Sequence, residues 1–186
     1  MKKLLMFLAV FTMCLAMTGV ASANLVVNGN FATGDTTGWT FVPAAVGSDF
    51  YVGTPGALST YAAYFGAVDI GNYDSLSQVL TTVPGQMYTV SFYLTHLDTD
   101  SQSDFYVQWD GTTLFDFLNG PSFPYTQYST TVSGTGSDTL LFAGYEVPSW
   151  FGLSDVDVEA VPIPGAVWLV VSGLVGLLGL RKSRKG

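Results

Sequence analysis

Between residues 24 and 160 apolar and polar residues alternate in short runs. The clearest run is Met87–Leu97, where Tyr88, Val90, Phe92 and Leu94 interleave with Thr89, Ser91, Tyr93 and Thr95. A period of two places one set on a core and the other toward solvent, as in a half-buried strand. Phe105, Val107 and Trp109 repeat the pattern and lead into Asp110-Gly111, a two-residue hairpin signal. This assigns Trp109 to the core and predicts a return strand over Leu114–Leu118. Further strands are predicted at Leu25–Val27, Trp39–Phe41, Asp49–Val52, Ala62–Phe65 and Ser75–Val83, the last ending at the turn Pro84-Gly85. Tyr125–Val132, Asp138–Tyr145 and Phe151–Val158 complete the set, with Leu153, Val156 and Val158 as core positions. Many short strands separated by Gly, Pro, Asn and Asp predict one all-β domain over 24–160, a β-sandwich or barrel with the jelly roll preferred.

The two ends do not share this pattern. Met1-Lys2-Lys3, an apolar run from Leu4 to Val20 and the A-x-A pattern Ala21-Ser22-Ala23 read as a secretory signal peptide over 1–23. Asn24 is then the first mature residue. At the other end, Val161 to Leu180 carries no charge over twenty residues. That is enough to cross a hydrocarbon core of ~30 Å as a helix. Pro162 and Pro164 keep the entry extended, so the membrane helix is predicted over 165–180. Arg181, Lys182, Arg184 and Lys185 form a basic tail that stays cytoplasmic and leaves the domain outside the cytoplasmic membrane. Val161, Pro162, Ile163, Pro164 and Gly165, followed by the span and the tail, resemble the PEP-CTERM sorting signal of Gram-negative bacteria. The variant is the one in which V-P-hydrophobic-P replaces Pro-Glu-Pro. The resemblance covers about 26 of the 186 residues. It implies an exosortase-type processing enzyme as a partner, cleavage near the proline motif, and delivery to the cell surface or an extracellular polysaccharide matrix. The alternative is a structural envelope protein, permanently anchored by the same helix and without a small ligand.

Charge sharpens this division. All six Lys and Arg residues lie in the two ends, and all fourteen Asp and Glu residues lie between 24 and 160. With His96 neutral the domain carries a formal charge of −14, no basic residue standing against fourteen acidic ones. Affinity for phosphates rests on Lys and Arg, so nucleic acid is excluded as a partner. Ion pairing to acidic polysaccharides is disfavoured on the same ground, and divalent cations would relieve the repulsion. The one cysteine, Cys14, lies in the signal segment, so the mature domain has no disulfide framework.

Asn24-Leu25-Val26-Val27-Asn28-Gly29-Asn30-Phe31 and Gly38-Trp39 are similar to the opening of galactose-binding-like and carbohydrate-binding-module jelly rolls. Gly152-Leu153-Ser154-Asp155-Val156-Asp157-Val158 is similar to their last strand. The resemblance implies a sandwich fold, polysaccharide binding, and a structural calcium ion beside the first and last strands. Asn30, Asp35 and Asp155 are the residues it offers for that ion. The family's opening glutamate falls at Ala32, and the first of its closing acidic pair at Ser154.

No catalytic constellation is evident. His96, the single histidine, is expected as a rim residue at the end of its strand, and no G-x-S-x-G elbow accompanies Ser101 or Ser103. The only glutamates are Glu146 and Glu159, and the aspartates fall mostly in turns, where solvation explains them. Asp98, Asp100 and Asp104 form the densest acidic loop, read as a solvated turn. Tyr125 and Trp150 lie in turn-rich stretches and are the candidate sugar contacts.

Overall fold

The computed structural model describes residues 23–67, 69–98 and 102–162. The predicted signal segment through Ser22, including Ala21, lies outside these residues. So do Asp100 and the sorting signal from Ile163 to the basic tail. Among the described residues there is no helix.

Ten strands form two five-stranded antiparallel sheets packed as a sandwich. They are β1 (Thr40–Val42), β2 (Tyr51–Gly53), β3 (Ala62–Phe65), β4 (Asp74–Thr81), β5 (Met87–His96), β6 (Gln102–Trp109), β7 (Thr112–Asp116), β8 (Phe123–Ser133), β9 (Ser137–Val147) and β10 (Phe151–Ala160). One sheet has the order β1-β4-β9-β6-β7 and the other β2-β3-β10-β5-β8. The all-β sandwich expected from the alternation is therefore present. The β6–β7 hairpin turns at Asp110 and Gly111, both with positive φ (48° and 76°), which is the backbone this pair of residues favours.

The alternating residues of β5 divide as the period requires. Val90, Phe92 and Leu94 are fully buried, whereas Ser91 and Tyr93 are half-exposed. Inward-facing rings knit the sheets together. Phe65 meets Phe105 edge-on at 5.2 Å, and Phe92 meets Phe142 at 5.4 Å. Such rings bury some 150–250 Å² each, and edge-to-face pairs add about 0.5–1.5 kcal/mol beyond area. Leu153, Val156, Val158 and Trp109 join this core, as expected.

Two expectations are corrected. Leu25–Val27 is not a strand. Asn24 takes over part of the ladder with its side chain: Oδ1 accepts from the Val26 and Val158 amides, and Nδ2 donates to the Val156 carbonyl. Positive φ at Asn28 and Phe31 then turns the chain away. His96 is not a rim residue. It is 1% exposed, stacks on Phe151 at 4.3 Å, and pairs through Nε2 with Glu146, itself 1% exposed. The pair joins the end of β5 to the end of β9, and so joins one sheet to the other. The pairing offsets the cost of this burial, since an unpaired charge there would be costly.

Burial disfavours the imidazolium, but the hydrogen bonds with Glu146 and the Pro121 carbonyl offset this and hold His96 above its ordinary value. A raised native pKa gives stability that is complete below about pH 6.5 and is lost as pH rises through the native value. Urea denaturation should show the protein losing stability across that step, with the loss flattened in Glu146→Gln. Glu146→Ala, which strands His96, should lower stability by about 3–5 kcal/mol. Variants with the wild-type midpoint at every pH would show that the pair does not hold the sheets.

Candidate functional site

The site begins with one extra residue in β10. Ser154 pairs with Tyr93 and Asp157 with Ser91, so three steps along β10 match two along β5. The bulge places Asp155 at φ 50° and redirects its neighbours. The Val156 amide leaves the β5 ladder and donates to the Gly29 carbonyl at 2.9 Å, while the Leu25 amide donates to the Val158 carbonyl. Segment 24–29 thus lies along the second half of β10. Gly29 permits the approach, since a Cβ there would stand 2.1 Å from the Val156 oxygen. Gln78 on β4 secures the segment from the opposite sheet: Oε1 accepts from the Val27 amide, and Nε2 donates to the Val27 and Gly38 carbonyls.

The same bulge anchors the loop between β2 and β3. The Asp155 carboxylate accepts from the Leu58 amide (2.9 Å), the Ser59 amide (3.2 Å) and the Ser154 hydroxyl (2.7 Å). Ser154 Oγ accepts from the Ala57 amide and lies 3.2 Å from the Tyr61 carbonyl. Farther along the loop, Tyr64 and Tyr125 both donate to the Pro55 carbonyl, at 2.6 and 2.8 Å.

These constraints leave a cleft of about 410 Å³. Ser91 and Tyr93 on β5, Gln127 on β8 and Asp155, Val156 and Asp157 on β10 are its strand-borne lining residues. Asn24, Asn28 and Asn30 come from the amino-terminal segment, and Leu58 from the anchored loop. Tyr93 is flanked in register by Ser154 and Gln127, so it sits on three hydrogen-bonded strands. The arrangement is a rigid polar surface with amide, hydroxyl and carboxylate groups around one aromatic ring. It can hydrogen-bond and stack against a polyhydroxylated ligand.

The two sugar contacts expected from sequence do not line this cleft. Trp150 donates its indole N–H to the Asp49 carbonyl at 3.1 Å and meets Tyr51 edge-on. Tyr125 supports the neighbouring loop through Pro55, and burial holds its phenol far above the ordinary range. Tyr93, an aromatic ring on the solvent half of an alternating strand, lines the cleft. The roles of Asn24 and Gln127 depend on pairings distant in sequence and carried no local mark.

Asn30 and Asp155, two of the three residues offered for calcium, line the same cleft, and Asp35 does not. The Asp35 carboxylate accepts from the Thr33 hydroxyl (2.7 Å) and the Thr37 amide (2.9 Å), which hold its carboxyl below the usual range. Asn30 Oδ1 accepts from the Ala32 amide, and Asp155 binds the loop amides already described. Among the described residues, no group of three or more His, Cys, Asp or Glu side chains could hold a metal ion. Asp104 is likewise no loop ligand. It lies in β6, 9% exposed, and accepts from the Tyr73 phenol at 2.6 Å. His96 and Glu146 are engaged with each other, away from any acid–base role in the cleft.

No protein-family model and no curated protein matches the chain. Solved structures do. One is the carbohydrate-binding module TmCBM61 in complex with β-1,4-galactotriose, with TM-score 0.54, 19% identity, and coverage of 75% of this chain and 100% of that one. Another is the K3 cleaved adhesin domain of Lys-gingipain from Porphyromonas gingivalis, with TM-score 0.55, 18% identity, and coverage of 75% and 99%. A third is the enzymatically active domain of bacteriophage CBA120 tailspike protein 4, with TM-score 0.53 and 15% identity, covering 74% of this chain. This chain spans only 21% of the tailspike's length. The shared feature is the fold, a jelly-roll β-sandwich of the class that includes carbohydrate-binding modules.

Millimolar calcium should leave the thermal midpoint unchanged. Asp155→Ala, which frees two loop amides, should lower stability by about 1–3 kcal/mol. A calcium-dependent rise in midpoint would contradict this assignment.

Proposed function

We propose that this chain is an exported cell-surface or extracellular-matrix protein whose sandwich binds polysaccharide without cleaving it. The observation that carries this reading is the cleft between the amino-terminal segment, the β2–β3 loop and the sheet, where Tyr93 stands among hydrogen-bonding side chains. The fold likeness to TmCBM61, whose structure holds β-1,4-galactotriose, is consistent with it. Export rests on the signal peptide ending at Ala23, in a Gram-negative cell. Sorting rests on the Val161–Gly165 motif, the 165–180 span and the basic tail, with an exosortase-type enzyme as the processing partner.

Two measurements test the two halves. In a titration with oligosaccharides found by glycan array, Tyr93→Ala should weaken binding by at least about 1 kcal/mol, roughly fivefold. Trp150→Phe should leave it unchanged. Loss of binding in Trp150→Phe alone would place the ligand elsewhere. Intact-mass analysis of the mature protein should show residues 1–23 and the segment beyond the proline motif removed. Retention of the residues after Pro164 would favour the permanently anchored envelope protein.

A further inference from the structure

Each sheet ends in strands that pair on one side only. Three of these edges are short: β1 and β2 have 3 residues each and β7 has 5. β8 is the exception, with 11 residues from Phe123 to Ser133. β5 pairs along one side of it, and among the described residues no strand lies on the other. That side presents a row of backbone N–H and C=O groups, a ready template for another strand. Pro124 and an irregular register between Phe123 and Thr126 blunt one end. From Thr126 to Ser133 the register with β5 is unbroken, and no residue of this stretch is charged. Edge strands are ordinarily protected by charge, proline, a bulge or shortness, and this stretch has none of them. The flank beside it is unfinished in a second way. Phe115 of β7 and Phe117 just beyond it meet Tyr128 of β8 at 5.8 and 4.8 Å, and all three rings are only half-buried.

We infer that Thr126–Ser133 of β8 pairs antiparallel with the same stretch of a second copy of this chain. The two-fold axis of such a pair stands normal to the sheet, so two copies of the β2-β3-β10-β5-β8 sheet become one continuous sheet. The new ladder satisfies the unpaired backbone row. It sets exposed Ser129 and Thr131 against hydroxyl side chains of the copy, a favourable kind of cross-strand pair. It also brings the two sets of half-buried rings toward each other. Charge selects the partner. Two domains with fourteen acidic and no basic residues repel wherever their carboxylates meet. The uncharged edge of β8 is where two such backbones approach without that penalty, and a basic strand would gain nothing there. Gln127 lies on the pairing strand and lines the cleft, so both clefts open on the same face of the joined sheet. The pairing itself does not depend on what the cleft binds.

The test is sedimentation equilibrium of the full-length protein over a range of concentrations, with Ser129→Asp and Thr131→Asp compared with Val79→Asp. Val79 is exposed on β4 of the other sheet, so its variant adds the same charge away from the β8 edge. The parent should form a dimer. Ser129→Asp and Thr131→Asp each set like charges close together across the axis. Each should raise the dissociation constant by about tenfold or more, and Val79→Asp should change it by less than about twofold. Hydrogen exchange read by mass spectrometry separates this edge from association through any other part of the chain. Amides within Phe123–Ser133 should exchange more slowly as the parent becomes more concentrated, and Ser129→Asp at the same concentrations should lose that dependence. Unchanged exchange in β5 of the variant would show that its fold is intact and that the lost association is the edge's own. A monomer at every concentration would overturn the inference. So would a dimer that Val79→Asp weakens as much as Ser129→Asp does. Association with β8 exchange independent of concentration would overturn it too, by placing the contact elsewhere.

Discussion

The bulge at Asp155 is the constraint from which the site is built. A regular β10 would continue its ladder with β5 and keep the Val156 amide in the sheet. With one residue inserted, that amide instead meets the Gly29 carbonyl, and the amino-terminal segment gains a place beside the last strand. The Asp155 side chain, turned out by a positive φ, captures the amides of the β2–β3 loop. Bulges recur where a strand must re-aim a side chain or end its pairing, and here both happen within three residues. The cleft is what remains between the two docked segments. Its side chains therefore stand on hydrogen-bonded backbone, which favours recognition over adaptability.

Acidic residues serve different purposes in different places. Asp155 holds a loop, Glu146 joins two sheets through His96, and Asp35 orders the turn that follows the amino-terminal segment. The Asp157 carboxyl is raised by burial first and then by Glu159, with the Val158 backbone amide acting the other way.

Much of the sandwich was legible in the sequence because a period of two is a local signal. β5 and the Asp110-Gly111 hairpin follow from residues within a dozen positions of each other, and β3 matches its predicted span residue for residue. The failures share a cause. Leu25–Val27 has the composition of a strand, but a side chain at Asn24 and a glutamine on β4 replace the ladder. His96 ends an alternating run and so looked solvent-facing, yet its partner lies fifty residues away on the opposite sheet. Tyr125 and Trp150 sit in turn-rich stretches and donate to carbonyls of distant loops, contacts that no local pattern shows. The cleft was illegible for the same reason: it joins residues near 24, 58, 91, 127 and 157, and no local pattern links them.

The most direct test of the cleft as the binding surface is nuclear magnetic resonance of the isotope-labelled protein titrated with a bound oligosaccharide. The expected result is that amide shifts concentrate at Asn24–Asn30, Leu58, Ser91, Tyr93, Gln127 and Asp157. Shifts confined to the opposite sheet, around Tyr73, Tyr106 and Tyr145, would contradict it.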